Sequence, residues 1–149
     1  MLENINVKRA VLAGLAGTTA MTAFILAGPM MGMPRMNIGE MLGSMMGGIT
    51  SLGWVAHFMI GIVLAGIYTG FFAKRLSGPA PLRGMIYGIL PWLLAQVMVM
   101  PMMGAGFFSG SFLLAGGSLM GHLVYGAVVG AVYRQTEGAA PRGALHAEA

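Results

Sequence analysis

The chain has 149 residues, of which 57% are hydrophobic and only 8% charged, with a formal net charge of +4 and no cysteine. An average soluble domain carries about 25% charged residues, so this sequence cannot clothe a water-facing surface, whereas four spans of about 20 apolar residues account for most of its length. Thiolate catalysis, disulfides and Cys-ligated clusters are excluded, and Glu3, Glu40, Glu137 and Glu148 all lie outside the apolar runs, which leaves no carboxylate pair for acid/base work inside a membrane.

In chain order, the first apolar run predicts a transmembrane helix over about 9–28, opened by Lys8 and Arg9 and closed at Gly28-Pro29. Its length and the lack of a clear cleavage site set it apart from a signal peptide. Residues 30–50 turn more polar, with Arg35, Asn37 and Glu40 ahead of Met41, Leu42, Met45 and Met46 at helical spacing. That pattern predicts a short interfacial helix over about 37–47, capped by Asn37 with Glu40 as its capping-box partner, its apolar face lying on the membrane surface.

Helix two is expected over about 52–73, from Trp54 near one interface to Lys74-Arg75 at the other. After the turn-rich Ser77-Gly-Pro-Ala-Pro81, helix three is expected over about 83–101, with a kink at Pro91 and Gln96 as its one strongly polar interior residue. A glycine-rich, uncharged loop leads to helix four, about 113–134, and the tail 135–149 lacks apolar periodicity and reads as disordered. The fold class is therefore all-α, a four-helix transmembrane bundle forming a single domain over 1–134.

Lys8, Arg9, Lys74, Arg75, Arg83, Arg134 and Arg142 fall on one side of that topology and only Arg35 on the other. The positive-inside rule makes the first side cytoplasmic, with both termini there, in a prokaryotic inner membrane. The same placement accounts for the basic excess, which forms no stripe with interleaved aromatics, so nucleic acid is not an expected partner. The expected surroundings are the lipid bilayer and, further, a homo-oligomer or larger membrane complex.

An internal repeat organises the chain. Superposing helix two on helix four places His57 on His122, Gly61 on Gly126 and Tyr68 on Tyr133, while Gly53 meets Ser118 and Ala65 meets Gly130. Each helix thus carries a small–His–small–small stripe on one face, and in lipid small residues at i and i+4 let helix backbones approach. Gly53, Gly61, Ala65, Ser118, Gly126 and Gly130 are the expected helix-packing positions. Helices one and three repeat through Arg9 and Arg83, Gly14 and Gly88, and Pro29-Met-Met-Gly32 recurs as Pro101-Met-Met-Gly104. A duplicated two-helix hairpin predicts a pseudo-two-fold axis along the membrane normal.

His57 and His122 are the candidate functional residues, because an ionisable side chain within a membrane helix is a functional hypothesis by default. The bland alternative is a neutral packing histidine, copied by the duplication and bonded to Ser118, a tyrosine or a backbone carbonyl. The spacing leaves open whether the two imidazoles meet across the axis. All but Met1, Met21 and Met85 of the sixteen methionines fall on the outer half, and soft thioethers select Cu(I), so Met30, Met31, Met102 and Met103 join the two histidines as candidate metal ligands. Methionine is also an adaptable filler of interfaces. A Ser118–His122 nucleophile–base pair lacks any oxyanion-hole motif or orienting third group.

The run Gly14-Leu-Ala-Gly-Thr-Thr-Ala-Met-Thr22, with His57 and His122 near the starts of helices two and four, resembles an uncharacterised family of small prokaryotic four-helix membrane proteins, over residues 8–134. That resemblance brings no activity, substrate or catalytic residue with it. The expectation is a non-catalytic membrane protein without a cofactor, an accessory or oligomer-forming subunit whose methionine-rich outer face meets a partner. The alternative is a protein binding haem b or copper through His57 and His122, with imidazoles as axial ligands of a macrocycle or as ligands to Cu(I).

Overall fold

The computed structural model describes residues 6–134, and every regular element among them is helical. The expectation for the tail 135–149 lies outside the described residues. Helix α1 is Val7–Ala27, started by Asn6, whose side chain accepts the Arg9 N–H at 3.2 Å. A 3-10 turn over Gly28–Met31 leads to the short α2, Ile38–Ser44. Helix α3 is Thr50–Ile67 and runs on through a π turn, Tyr68–Phe72. Helix α4 is Ala80–Leu94, prolonged by a π turn over Ala95–Val99 and a last α turn, Met100–Met102. Helix α5 is Phe112–Arg134. Four of these, Val7–Met31, Thr50–Phe72, Ala80–Met102 and Phe112–Tyr133, are long and apolar enough to cross a membrane.

One boundary and the place of one irregularity differ from the sequence expectation for identifiable reasons. Helix α4 begins at Ala80, ahead of Arg83, because Pro81 sits in its first turn, where a proline ring pre-sets φ and no N–H is needed. The departure from α geometry expected at Pro91 falls one turn later, at the π turn Ala95–Val99. There the wider turn brings Gln96 to the bundle interior, where it is 1% exposed.

The packing repeats the hairpin. α1 lies against α3 and α4 against α5, and in both pairs glycine sets the distance. A methyl added at Gly14 would fall 2.7 Å from the Ile62 Cα, and one at Gly61 would strike the Thr18 hydroxyl. In the second hairpin, methyls at Gly84 and Gly126 would each strike the other glycine's carbonyl oxygen, and one at Gly88 would strike that of His122. Such close backbone approach is how helices associate where lipid removes the hydrophobic driving force.

The two hairpins do not join symmetrically. α1 also packs along α5, with Gly17 against Tyr125 and Val129, and Gly121 against Met21 and Ile25. The counterpart seam, α3 against α4, is held in the half nearer the termini. There Tyr87 donates from its hydroxyl to the Leu64 carbonyl at 2.8 Å, and its ring lies 5.2 Å from Tyr68 and 5.0 Å from Phe72. Tyr125 adds a bond from α5 to the Gly61 carbonyl at 2.7 Å, and Arg83 donates from Nη1 to the Ala73 carbonyl.

At the other end α2 covers the bundle. Asn37 caps it, accepting the Glu40 N–H at 3.2 Å. Its buried face is Ile38, Gly39 and Gly43, and this face lies on the start of α3: a methyl at Gly39 would strike the Trp54 indole, and one at Gly53 would strike the Gly39 carbonyl. The helix is therefore a lid bolted to α3 by glycine contacts, with half-buried Met41 and Leu42 turned into the bundle, and not a helix resting on lipid through its apolar face alone. Small residues at 39, 43 and 53 make the closer, drier contact available.

Candidate functional site

His57 sits two turns into α3 and is 9% exposed. Its Nε2 lies 3.1 Å from the Thr22 hydroxyl of α1, and that hydroxyl donates its single proton to the Thr18 carbonyl at 2.7 Å. With the Thr22 proton held by the Thr18 carbonyl, the proton between them belongs to the imidazole, which puts the His57 lone pair on Nδ1. The rings of Trp54 and Phe58 stand edge-on to it at 6.0 and 5.8 Å.

His122, at the equivalent place in α5, holds its proton on the other nitrogen. Its Nδ1 is 2.8 Å from the Ser118 carbonyl, which can only accept, so the lone pair is on Nε2. The Ser118 hydroxyl does not face the imidazole as a nucleophile would. It accepts from the Gln96 Nε2 at 3.3 Å, while the Gln96 carbonyl accepts from Ser109 at 2.9 Å. Gln96 is thereby fixed at both ends of its amide. Ser109 holds its end from a left-handed backbone, φ 58, next to Phe108 at φ 52.

Both histidines line one cavity of about 250 Å3. Thr18, Met21 and Ile25 of α1, Ile60, Gly61 and Leu64 of α3, Pro91, Leu94 and Gln96 of α4, and Ser118 and Tyr125 of α5 complete its sides. Met36, Ile38, Met41 and Leu42 close it at the α2 end, and Val99 and Met100 stand beside them. No charged side chain lines the wall. Arg83 Nε is the one sealed side-chain nitrogen or oxygen without a hydrogen bond among the described residues. The free nitrogens of His57 and His122 therefore keep open surface, and the cavity is what both residues border.

The six expected packing positions are all buried: Gly53 under α2, Gly61 and Ala65 in the first hairpin and Ser118, Gly126 and Gly130 in the second. The methionines divide. Met30, Met31 and Met102 are exposed at 91%, 68% and 71% and stand away from the histidines, as does half-buried Met103. The thioethers that share the cavity with the imidazoles are Met21, Met36, Met41 and Met100. Among the described residues no group of three or more His, Cys, Asp and Glu is placed to hold a metal ion.

Thr22, Thr18, Gln96 and Ser109 were not singled out with the histidines by sequence. One signal was available: at the spacing that matches Gly14 to Gly88, Thr22 matches Gln96. The polar residue facing the histidine stripe is thus repeated in position though changed in kind.

Neither the curated proteins nor the solved structures include a significant match to this chain. A family model does match, over residues 5–142, nearly the whole sequence and all four spans. The chain thus belongs to the family of unknown function DUF6789.

Proposed function

We propose that the protein is a non-catalytic, multi-pass binding protein of the membrane that takes a small ligand into the chamber between its two hairpins, anchored by His57 and His122. One observation carries this reading: two imidazoles on one apolar cavity, each with one nitrogen bonded to the protein and the other not. Pockets that bind small molecules have this make-up, an apolar wall with few placed polar groups. The serine beside His122 accepts from Gln96, and the wall has no carboxylate to orient either imidazole, which supports recognition over catalysis. By the positive-inside rule the α2 end faces outward from a prokaryotic inner membrane, with the termini cytoplasmic.

The cavity volume bears on the cofactors expected from sequence. About 250 Å3 lies below the roughly 300–1,000 Å3 of drug-sized ligand pockets, so a haem would have to part the helices, and no arginine or lysine lines the wall for its propionates. Copper needs less room and has soft donors in Met21, Met36, Met41 and Met100. A second reading, an accessory or oligomeric subunit, is favoured by the exposure of Met30, Met31 and Met102 at the span ends, since methionine suits adaptable contact surfaces.

Native mass spectrometry of protein released from mild detergent, with metal analysis and an absorbance spectrum, tests the binding reading against a His57→Ala/His122→Ala variant. The expected result is a small bound mass that the variant loses. A wild type free of any added mass, metal or chromophore, with unchanged stability in the variant, would sink it in favour of the subunit reading.

A further inference from the structure

Resting on the binding reading above, we infer that the ligand of this chamber is a lipid-soluble molecule with a hydroxylated ring as its head, entering from the bilayer between α3 and α4. The mouth of the cavity gives the route. Ile60 of α3 and Leu94 of α4 are 47% and 48% exposed, whereas every other wall residue is buried or half-buried. These two belong to the helices that are pinned together in the half nearer the termini, by Tyr87 and Arg83. Above that pin the seam stands open toward lipid, while α2 covers the end that would otherwise face water. An apolar chamber with a lateral mouth receives its contents from the membrane.

Size and chemistry narrow the class. An apolar cavity of about 150 Å3 is enough to hold a benzene, so one of about 250 Å3 has room for a six-membered ring with oxygen substituents. Its imidazole anchors are acceptors: Nδ1 of His57 and Nε2 of His122. Thr18 donates to the Gly14 carbonyl at 2.7 Å, Thr22 to the Thr18 carbonyl and Tyr125 to the Gly61 carbonyl, whereas Ser118, which accepts from Gln96, keeps its own O–H to donate, as Gln96 keeps its second N–H; a ligand hydroxyl, which both donates and accepts, meets either kind. The wall therefore leaves two buried lone pairs to be met by donors from outside, and unmet acceptors in a low-dielectric site are costly. A divalent cation would bring charge that no wall residue neutralises. Two O–H groups on a neutral ring match the anchors in number, sign and scale.

The test uses the full-length protein in lipid nanodiscs, under anaerobic conditions, with a hydroquinone bearing an alkyl tail as probe and its dimethyl ether as control. Empty nanodiscs correct for partition into lipid. The ether keeps shape and apolarity but has no donor, so the hydroquinone should bind at least about tenfold more tightly, the scale of two hydrogen bonds. His122→Asn keeps an amide N–H for the Ser118 carbonyl while deleting the Nε2 acceptor, and should cut the preference to about threefold, the bond to His57 remaining. His122→Gln, which sets an oxygen near the Nε2 position, should recover part of the difference.

Equal affinity of hydroquinone and ether in the wild type would overturn the ligand class and leave the binding chamber standing. So would stoichiometric Cu(I) that excludes the hydroquinone and is lost in His122→Asn, which would assign the site to a metal. Failure of both probes, together with a wild type carrying no bound mass, would overturn the class and the binding reading at once.

Discussion

A methyl at Gly84 would meet the carbonyl oxygen of Gly126 across the α4–α5 seam, and nothing there can move aside except a whole helix. Gly66, by contrast, has open space where its Cβ would stand. Overpacking costs about 1–3 kcal/mol and an unconstrained surface change under about 0.5 kcal/mol. Gly84→Ala should therefore unfold at clearly lower denaturant in a detergent titration while Gly66→Ala tracks the wild type. The histidines make a second prediction at this scale. Selective 15N labelling should show His57 protonated on Nε2 and His122 on Nδ1, because one faces a hydroxyl whose proton is taken and the other a carbonyl. The same tautomer at both sites would contradict the hydrogen-bond assignment. Residue identity revealed the repeated histidine but not this inequality: Thr22 and Gln96, which stand at matching positions, are chemically different partners.

The short α2 shows how much an element depends on its neighbours. Seven residues are too few to be stable alone in water, so its helicity rests on the Asn37 cap and on the glycine contacts with α3. Asn37→Ala should cost about 1 kcal/mol locally, and Gly39→Leu, whose side chain would occupy the place of the Trp54 indole, should lift the helix. Trp54 emission in a Trp92→Phe background and protease sensitivity around residues 32–48 measure both changes; unchanged emission in Gly39→Leu would mean that the lid is not held as described. The sequence located this helix and its cap, since Asn37 followed by Glu40 and a periodic apolar run is a local signal. It could not say which surface the helix covers, because Gly39 and Gly43 read as weak helix formers until Gly53 and Trp54 are set against them. The π turn at Ala95–Val99 was hidden for the same reason: Pro91 is visible, but where the helix absorbs its missing donor is settled by what Gln96 can reach.

At the scale of the molecule, the bundle is pinned in one half and open in the other. Tyr87 and Tyr125 each bond a carbonyl of α3, at Leu64 and Gly61, and Tyr68 and Tyr133 add a ring contact at 6.4 Å. Removing both hydroxyls as Tyr87→Phe/Tyr125→Phe should cost about 1–2 kcal/mol in total at the value usual for such bonds in membranes. Amide exchange should rise along α3 in the half nearer the termini and not in α2; a uniform rise would mean that these bonds hold the whole bundle and not one seam. The duplication predicts two equivalent seams between hairpins, yet α1 lies along α5 at Gly17 and Gly121 whereas α3 and α4 diverge around the cavity. Gly17 has Pro91 as its repeat counterpart, so the residue that lets one seam close is replaced by one that cannot continue an ordinary helix at the other.

Local chemistry along the chain is enough to mark four apolar spans, the capped helix between the first two, the duplicated hairpin and a histidine at the equivalent place in each half. These follow from runs, periods and spacings, each legible within a few turns of chain. Tertiary structure alone decided that the imidazoles share one chamber, that their free nitrogens differ, and that Met21, Met36, Met41 and Met100 stand beside them in place of Met30, Met31, Met102 and Met103. The physical reason is that a lipid-embedded helix is apolar on every side. Its small-residue stripe marks the side where backbones approach, but which larger side chains turn inward is selected only by contacts between residues far apart in the chain.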